Sequence, residues 1–385
     1  MSNQEHDFQE YFGETQNIVR ENVKKFVDKE VRPYINEWEE AGEFPRELFE
    51  KAGQAGLFSI GYPEVYGGTG DDLFSKIAAS EELMRSTSGG LVASLGSIDI
   101  GLPPIAQWGS DELKGRVVSD VISGKKIVAL AITEAGGGSD VASIRTRAVK
   151  DGDHYIVNGS KTFITSGHRA DYYTVAVRTG GDGYGGVSLL VIERDTKGFT
   201  RGKNLKKTGW WASDTAELFF EDCRVPVGNL IGHENAGFIA IMSNFAFERL
   251  FLCIMANMTS QIALEECISY VKEREAFGRP IGKFQVTKHK LAEMATLLEA
   301  SKEFTYRLAS KIQAGKNVVK EISMAKNFAT DTSDKITYDA VQIFGGMGYM
   351  RGTVVERLAR DNRILSIGGG THEIMNEVIA KQLGL

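Results

Sequence analysis

Residues 236–264 read AGFIAIMSNFAFERLFLCIMANMTSQIAL, an apolar stretch whose only ionisable side chains are Glu248 and Arg249. We expect it to open a helical region that runs to the C-terminus, because apolar residues recur there at helical spacing. The central charge pair and polar residues such as Asn257 and Gln261 argue against a membrane span. The stretch therefore predicts a core helix in a bundle of long helices with short connections.

The residues before this stretch, 126–235, carry patterns typical of β-strands. The runs 155–157 and 162–165 flank Asn158-Gly159, a dipeptide that favours a tight hairpin. Three further predicted strands are 173–177, 187–192 and 216–220. Together these runs predict a small antiparallel barrel or sandwich.

The first part of the chain is predicted to be helical again. Apolar residues recur at three- and four-residue steps between Phe12 and Phe26, with charged residues between them. The order helical, β, helical predicts an α+β protein of several domains. We expect an N-terminal helical domain over 1–125, a central antiparallel β domain over 126–235 and a C-terminal four-helix bundle over 236–385.

Composition and charge exclude several classes of protein. The 385-residue chain has a net charge of -6, whereas a nucleic-acid binder needs a basic excess to collect phosphates. Its three cysteines form no CxxC pair, so the sequence predicts no metal site and suits a reducing compartment. The polar, acidic start MSNQEHDFQE resembles no secretory or transit signal, and KQLGL is not a peroxisomal one. We expect a cytoplasmic protein without nucleic-acid partners or a membrane span.

Glu248 is the first candidate for chemistry. A carboxylate in an apolar wall loses hydration, which raises its pKa and prepares it to act as a general base or acid. The neighbouring Arg249 would limit that rise, although adjacent residues on a helix lie about 100° apart and do not face each other. The alternative is a buried ion pair that holds helices together.

Three glycine-rich segments are the other candidates. Residues 132–140, ITEAGGGSD, would let the backbone approach a flat or phosphorylated ligand, or would simply be a loop between helix and strand. Arg274, in REAFGRPIG, would suit a phosphate or a C-terminal helix carbonyl. Residues 367–373, IGGGTHE, would leave bare backbone for a ligand or form a turn. GGMG at 345–348 follows a predicted helix, not a strand, which excludes a Rossmann or P-loop fingerprint.

The order of these motifs resembles the acyl-CoA dehydrogenase family over nearly the whole chain. ITEAGGGSD is similar to the family signature Thr-Glu-Pro-Gly-Ala-Gly-Ser-Asp, and the motifs NGSKTFITSG, SDTAELFFEDCRVP, REAFGRPIGKFQ, QIFGGMGY and GGGTHEIM follow in the family's order. The resemblance implies the three-domain fold predicted above. It also implies FAD bound in an extended shape across a subunit boundary.

Carried over position by position, the resemblance implies three sets of site residues. Those at the flavin would be Ile132, Thr133, Ser139, Phe163, Ile164 and Thr165, and Thr371 and Glu373 would also contact FAD. Those at the pyrophosphate and adenosine, some reaching FAD of a neighbouring subunit, would be Arg274, Gln285, Gln342, Gly345 and Gly346. Those contacting acyl-CoA would be Ser139, Arg249, Gly369 and Gly370. Phe163 stands where many members have Trp.

The chain departs from the family pattern at the base. Most members carry the catalytic Glu in Tyr-Glu-Gly-Thr, where this chain has Gly368-Gly369-Gly370-Thr371. A minority, which resemble isovaleryl-CoA and long-chain acyl-CoA dehydrogenases, carry it on the helix that here contains Glu248. A carboxylate arriving from the helix needs the space that a side chain at 369 would fill, so Glu248 is the predicted base.

The implied reaction is α,β-dehydrogenation of an acyl-CoA to the trans-2-enoyl-CoA in fatty-acid or branched-chain catabolism. The thioester carbonyl would accept hydrogen bonds from the flavin ribityl hydroxyl and from the N–H of Gly369. The resemblance implies an electron-transfer flavoprotein as acceptor and a homotetramer. One alternative is an acyl-CoA oxidase-like enzyme that uses O₂, and another is a non-catalytic relative that acts as a binding factor. The acyl chain stays open.

Overall fold

The computed structural model describes residue 8, residues 10–70 and residues 72–385. Most of the polar start of the chain, from which the absence of a leader was predicted, lies outside the described residues. In the described part, helices come first, strands follow, and helices return. This order confirms the predicted fold class.

The N-terminal part is helical, as predicted. Its helices are α1 Glu14–Phe26, α2 Ile35–Ala41, α3 Glu47–Gln54, α4 Leu73–Met84, α5 Gly89–Leu95, α6 Ile98–Gly101, α7 Pro103–Trp108 and α8 Asp111–Ile122. Polar side chains fix where several of them begin. The carboxylate of Asp72 accepts hydrogen bonds from the N–H groups of Phe74 and Ser75. These groups lie in the first turn of α4, where the helix itself offers them no acceptor.

The central part is one sheet. Its strands are β1 Val128–Ala131, β2 Arg147–Asp151, β3 His154–Thr165, β4 Tyr172–Arg178, β5 Val187–Glu193, β6 Phe199–Arg201, β7 Thr215–Pro226 and β8 Leu230–Ile231. They lie in the order β6-β7-β3-β2-β4-β5-β8. Most pairings are antiparallel, as predicted, but β1 and β2 both run parallel to β4.

The hairpin predicted at Asn158-Gly159 is wrong. Both residues lie inside the single strand β3, where the pairing with β7 shifts register between Val157 and Gly159. Gly159 has φ +144°, and a Cβ there would lie 2.7 Å from Cα of Thr146. The glycine therefore serves a bulge and a close backbone approach. The turn that joins β2 to β3 contains Gly152, whose φ is +59°.

The C-terminal part is built on three long helices. The elements are α9 Gly237–Glu273, β9 Glu275–Ala276, β10 Arg279–Pro280, α10 Gln285–Gln313, α11 Val319–Phe344, α12 Gly346–Tyr349, α13 Val354–Asn362 and α14 His372–Gln382. Helix α9 packs against α10, α11 and α13, and it also contacts α4 of the N-terminal part. The apolar stretch that opens it is therefore the central core helix, as predicted.

Helix α9 is also long and apolar enough to cross a membrane, as is the bent pair formed by residues 89–95 and 98–108. Half of the most apolar part of α9 is buried inside the protein. Burial against neighbouring helices accounts for this composition, since a helix that is apolar all round is typical of a protein core.

Candidate active site

The carboxylate of Glu248 lies about a third of the way along α9. Glu248 is half-buried as a residue, but its Oε2 atom is inaccessible to solvent and has no hydrogen-bond partner within the described residues. Burial raises the pKa of this carboxyl to about 7, although the charges of Arg249 and Lys326 act in the opposite direction. A carboxyl with a pKa close to neutral can exchange a proton at physiological pH.

Glu248 faces a turn of three glycines between α13 and α14. Gly369 and Gly370 both have left-handed backbone, with φ +64° and +99°. A Cβ at Gly369 would lie 3.8 Å from Oε1 of Glu248 and 2.6 Å from Cδ1 of Leu252. The helix carboxylate thus lies in contact distance of the position that a Cβ at 369 would take, and the side chain that such a Cβ would displace is that of Leu252.

Two cations hold this turn by its carbonyl groups. Nε of Arg249 donates to the carbonyl of Gly369 at 3.3 Å, and Nζ of Lys326 donates to the carbonyl of Gly370 at 2.8 Å. In the described part of the chain neither Glu248 nor Arg249 forms a salt bridge. The alternative interpretation of these two residues as a buried ion pair is therefore not what the structure contains.

The N–H groups of the same turn are free. Across the described residues, the backbone nitrogens of Gly369 and Gly370 donate to no protein acceptor. Free N–H groups beside a buried carboxylate can receive a ligand oxygen on which negative charge develops. The turn and α9 thus combine a proton acceptor with hydrogen-bond donors.

The segment 132–139 forms an open loop after β1. The carboxylate of Glu134 accepts hydrogen bonds from the N–H groups of Arg145 and Thr146, at 2.7 and 2.9 Å, and pairs with Nζ of Lys161 at 2.8 Å. Lys161 also donates to the carbonyl of Ile132 at 2.9 Å. These bonds fix the start of the loop, whereas the glycines and Ser139 are mostly exposed.

Strand β3 brings a second predicted segment beside this loop. The N–H of Thr162 donates to the carbonyl of Thr133 at 2.9 Å, so Thr133 and Phe163 come close together. The register of β3 against β7 shifts between Lys161 and Ile164, which turns Phe163 outward with φ +59°. The Phe163 side chain is 68% exposed, whereas Ile164 is buried. An exposed ring in strained backbone offers a stacking surface.

Thr371 and Glu373 lie at the start of α14, directly after the glycine turn. The hydroxyl of Thr371 caps the helix by accepting from the N–H of Ile374 at 3.3 Å. Glu373 is exposed in the first turn. Both residues therefore lie within a few positions of Gly369, on the same side of the bundle.

The remaining predicted residues lie at the other end of α9. Arg274 follows the last residue of α9, and the rings of Tyr270 and Phe344 stack at 4.1 Å, which joins the ends of α9 and α11. The predicted residues at this end, all exposed, are Arg274, Gln285, Gln342, Gly345 and Gly346. A rise of about 1.5 Å per residue puts Arg274 roughly 39 Å from Glu248. One protomer therefore carries two separate groups of predicted site residues.

A cleft of about 590 Å³ lies between the N-terminal helices and the first turns of α9. Its lining includes Tyr62, Leu73, Lys76, Asn244 and Phe247. Phe247 directly precedes Glu248, and Asn244 lies one helical turn before it. The cleft therefore runs along the first turns of α9 as far as Phe247, and Glu248 is not among its described lining residues.

Sequence reasoning missed three residues that shape this site: Lys161, Leu252 and Lys326. Lys326 had a visible signal, because it is a charged residue on the apolar stripe that includes Ile322 and Ala329. Lys161 and Leu252 had none, since their roles depend on contacts with distant segments.

A buried carboxylate with a raised pKa facing backbone donors is typical of an enzyme that moves a proton, and the exposed ring of Phe163 on β3 offers a flat ligand a surface to stack on. The family description "Acyl-CoA dehydrogenase, N-terminal domain" matches residues 13–125, the middle domain matches 129–223 and the C-terminal domain matches 235–384. This chain belongs to the acyl-CoA dehydrogenase family.

Similar proteins match almost the full length of this chain. The mitochondrial long-chain specific acyl-CoA dehydrogenase of Sus scrofa is 42% identical over 97% of this chain and 87% of its own. An acyl-CoA dehydrogenase of Bacillus subtilis is 41% identical over 95% of this chain and 97% of its own. The crystal structure of a probable acyl CoA dehydrogenase from Mycobacterium abscessus has a TM-score of 0.95 at 49% identity, covering 97% of this chain and 100% of that one.

Enzymes of this family depend on FAD, and the residues of this chain fit that cofactor. The Phe163 ring is exposed for stacking, and a Cβ at Gly136 would meet no atom within 4 Å, so the loop backbone is open to a ligand. Gly345 and Gly346 are equally open at the far end of the bundle. An extended dinucleotide needs such bare backbone and a flat apolar contact.

Proposed function

We propose that this protein introduces a trans double bond between Cα and Cβ of an acyl-CoA thioester, with Glu248 as the base that takes the α-proton. The observation that carries this proposal is the Oε2 atom of Glu248, which is buried without a partner among the described residues, on a side chain that lies beside the glycine turn. Such an atom gains a partner when it takes a proton from a substrate. A pKa of about 7 keeps a large fraction of the carboxyl ionised at neutral pH.

The glycine turn would stabilise the charge that develops when the α-proton leaves. The free N–H of Gly369 would donate to the thioester carbonyl, and the N–H of Gly370 is a second donor without an acceptor among the described residues of the turn. Fixed donors stabilise an enolate-like oxygen without having to reorient during the reaction. Arg249 and Ser139 are the further residues that we propose to contact acyl-CoA.

FAD, when bound, supplies the acceptor for the β-hydride. We propose that it is held on the flavin side by Ile132, Thr133, Ser139, Phe163, Ile164, Thr165, Thr371 and Glu373. The Glu134–Lys161 pair, with a 2.8 Å Nζ–Oε1 distance, would keep the 132–139 loop in place against β3. The apolar walls around Glu248 would keep water from the reacting atoms.

The cleft beside Phe247 is the proposed acyl-chain site. Tyr62, Leu73 and Phe247 give it apolar walls, and the ammonium of Lys76 is paired with Asp99 at 2.6 Å. Among the described lining residues, the paired charge leaves no free cation for a second carboxylate. These features favour an uncharged medium-to-long or branched acyl chain in fatty-acid or branched-chain catabolism.

We propose an electron-transfer flavoprotein as the electron acceptor. A relative from Acetobacterium woodii, 36% identical over 97% of this chain, is named "Caffeyl-CoA reductase-Etf complex subunit CarC". Hydrogen peroxide formed in amounts that match turnover would favour the oxidase-like alternative instead.

The distant group around Arg274 supports an oligomer in which two copies share each FAD. Within one protomer this group lies roughly 39 Å along α9 from Glu248, too far for the same flavin ring. We therefore propose that Arg274, Gln285, Gln342, Gly345 and Gly346 hold the pyrophosphate and adenosine of FAD bound to a neighbouring copy in a homotetramer.

Anaerobic bleaching of the flavin by a panel of acyl-CoA thioesters tests the proposed reaction. The wild-type protein should be bleached by at least one thioester. The Glu248→Gln variant should keep FAD but be reduced about 10²- to 10⁴-fold more slowly, the usual contribution of a general base. Glu266→Gln, which removes another carboxylate from α9, is the matched control and should behave as wild type.

Two outcomes would contradict the proposal. If Glu248→Gln is bleached at the wild-type rate, Glu248 is not the base. If the wild-type protein binds FAD and no acyl-CoA bleaches it, the non-catalytic alternative is favoured.

A further inference from the structure

Lys326 is a buried cation at the glycine turn. It lies on the packed face of α11 and has no exposed surface, yet its Nζ reaches the carbonyl of Gly370 at 2.8 Å. Removing an ammonium group from water is unfavourable unless nearby groups compensate for the lost hydration. The position of Lys326 therefore needs an explanation beyond packing.

The groups around Lys326 identify what it acts on. From α9 it faces Glu248, Arg249 and Cys253, and its own helix contributes Asp331 and Asp334, while Glu373 of α14 also lies within its electrostatic reach. Among the described residues it forms no salt bridge. Its positive charge is thus not neutralised by a direct ion pair, and it lies at the same glycine turn that the carboxylate of Glu248 faces.

The hydrogen bond from Lys326 also limits the motion of the turn. Each peptide unit is planar, with its C=O and N–H pointing in opposite directions. Arg249 holds the carbonyl of Gly369, which sets the direction of the Gly370 N–H. Lys326 holds the carbonyl of Gly370, which fixes the next peptide unit. Two consecutive peptide units, Gly369–Gly370 and Gly370–Thr371, are therefore anchored through their carbonyl groups.

On the basis of the function proposed above, we propose that Lys326 is a positioning residue of the Glu248 site, which anchors the Gly369–Gly370 turn and stabilises the ionised form of Glu248. The two effects act together, since the donor that fixes the turn is also the charge that favours the carboxylate. Burial lowers the pKa of Lys326 itself to about 8, so the side chain is mostly protonated at neutral pH, where Glu248 titrates.

The test is the titration of Glu248 in the FAD-loaded protein without substrate. Infrared difference spectra across a pH series report the carboxyl band, and Glu248→Gln identifies it by its loss. In Lys326→Met, which keeps the length of the side chain but removes the charge and the donor, the pKa of Glu248 should rise by about one unit or more. That rise corresponds to about tenfold less carboxylate well below the pKa.

The matched control is Lys302→Met, which removes a lysine from α10 whose pKa is also lowered by burial and whose Nζ contacts Gln261 at 3.2 Å. The pKa of Glu248 should be unchanged in this variant. In Lys326→Met, kcat/KM for an acyl-CoA that bleaches the wild type should fall about tenfold below pH 7 and recover partly at higher pH. A purely structural role would lower activity equally at every pH.

The outcomes separate this inference from the proposed function. If Glu248 titrates alike in the wild type and in Lys326→Met, the inference is wrong, whatever the enzyme does. If no acyl-CoA bleaches the wild type, the proposed function fails while the titration still reports on Lys326. Should Lys326→Met not fold, Lys326→Gln replaces it, because it keeps an N–H donor without the charge and should still raise the pKa of Glu248.

Discussion

The carboxylate of Glu248 and the absent side chain of Gly369 occupy adjoining space, since a Cβ built on Gly369 would lie 3.8 Å from Oε1 of Glu248. The same Cβ would lie 2.6 Å from Cδ1 of Leu252, and the φ of +64° disfavours any side chain there. A glycine at 369 thus leaves room for the helix carboxylate and for the side chain one turn later.

Gly369→Ala should lower both activity and stability. The left-handed backbone costs an alanine about 1–2 kcal/mol, and the methyl group must displace Leu252. Adding Leu252→Ala should restore part of the bleaching rate but not the stability. Gly115→Ala is the control, because nothing lies within 4 Å of a Cβ at that position of α8. Rates of anaerobic bleaching and melting temperatures check this, and a Gly369→Ala enzyme of wild-type rate would contradict it.

We expect a carboxylate to act as the base from either position 248 or position 369. In a Glu248→Gln background, Gly369→Glu should recover some bleaching, because a carboxylate from the turn would enter the region that Glu248 normally reaches. Leu252→Ala should increase the recovery by removing the 2.6 Å contact. An FAD-loaded triple variant with no detectable bleaching would count against the argument from shared space.

The proposed base also predicts how activity depends on pH. Because the carboxylate is the reactive form and burial raises its pKa to about 7, kcat/KM should rise with pH and level off above about 7. A pH–rate profile with the same acyl-CoA throughout checks this, and a flat profile between about pH 5 and pH 8 would contradict it.

The same pKa predicts a change in stability of definite sign. Between the ordinary value of 4.5 and about 7, the folded protein holds a proton on Glu248 that the unfolded chain has released, so the free energy of unfolding contributed by this group falls as pH rises. Glu248→Gln should therefore be more stable than the wild type above pH 7, by on the order of 2 kcal/mol. The difference should shrink towards pH 4.5. Denaturant titrations at several pH values measure it.

The sequence predicted the order of the fold because each part has its own periodicity over many residues. The same local rules failed at Asn158-Gly159, where a hairpin dipeptide lies within the long strand β3 and its glycine accommodates the backbone at Thr146. Local propensity cannot show a contact with another strand. The pairing of β3 with the distant strand β7 keeps these two residues in a strand.

The candidate site shows the same limit. The isolation of Glu248 in apolar sequence was visible, and so was the glycine at 369. The cleft was not, because it forms where residues 61–76 meet residues 240–247. The anchoring role of Lys326 depends on a carbonyl 44 positions later in the chain. Chemistry along one helix can be read from sequence, whereas partners from distant segments require the structure.

Phe163 should contribute to FAD binding and little to folding. Its side chain is 68% exposed, so Phe163→Ala removes almost no buried surface. Loss of a stacking contact worth about 1 kcal/mol should weaken FAD binding roughly fivefold. Phe219→Ala, at another exposed phenylalanine of the same sheet, is the control, and Phe163→Trp should keep the affinity. Flavin fluorescence titrations measure it, and unchanged affinity in Phe163→Ala would show that the ring does not contact the flavin.

The separation of Arg274 from Glu248 along α9 predicts that two impaired variants can complement each other. If each FAD is held by the Glu248 end of one copy and the Arg274 end of another, Glu248→Gln and Arg274→Met damage different halves of the shared site. Each variant alone should be inactive, the first for lack of a base and the second for weakened FAD binding. In a mixed oligomer, one shared site carries both changes, whereas the other combines the intact Glu248 of one chain with the intact Arg274 of its neighbour.

Dissociating and reassembling the two inactive variants together should therefore restore bleaching, whereas each variant reassembled alone should stay inactive. A single protomer cannot produce this recovery, because roughly 39 Å of helix separates the two residues within it. If the mixture remains as inactive as its components while mixed oligomers are demonstrably present, the two groups of residues do not serve one FAD, and the Arg274 end of α9 has a different role.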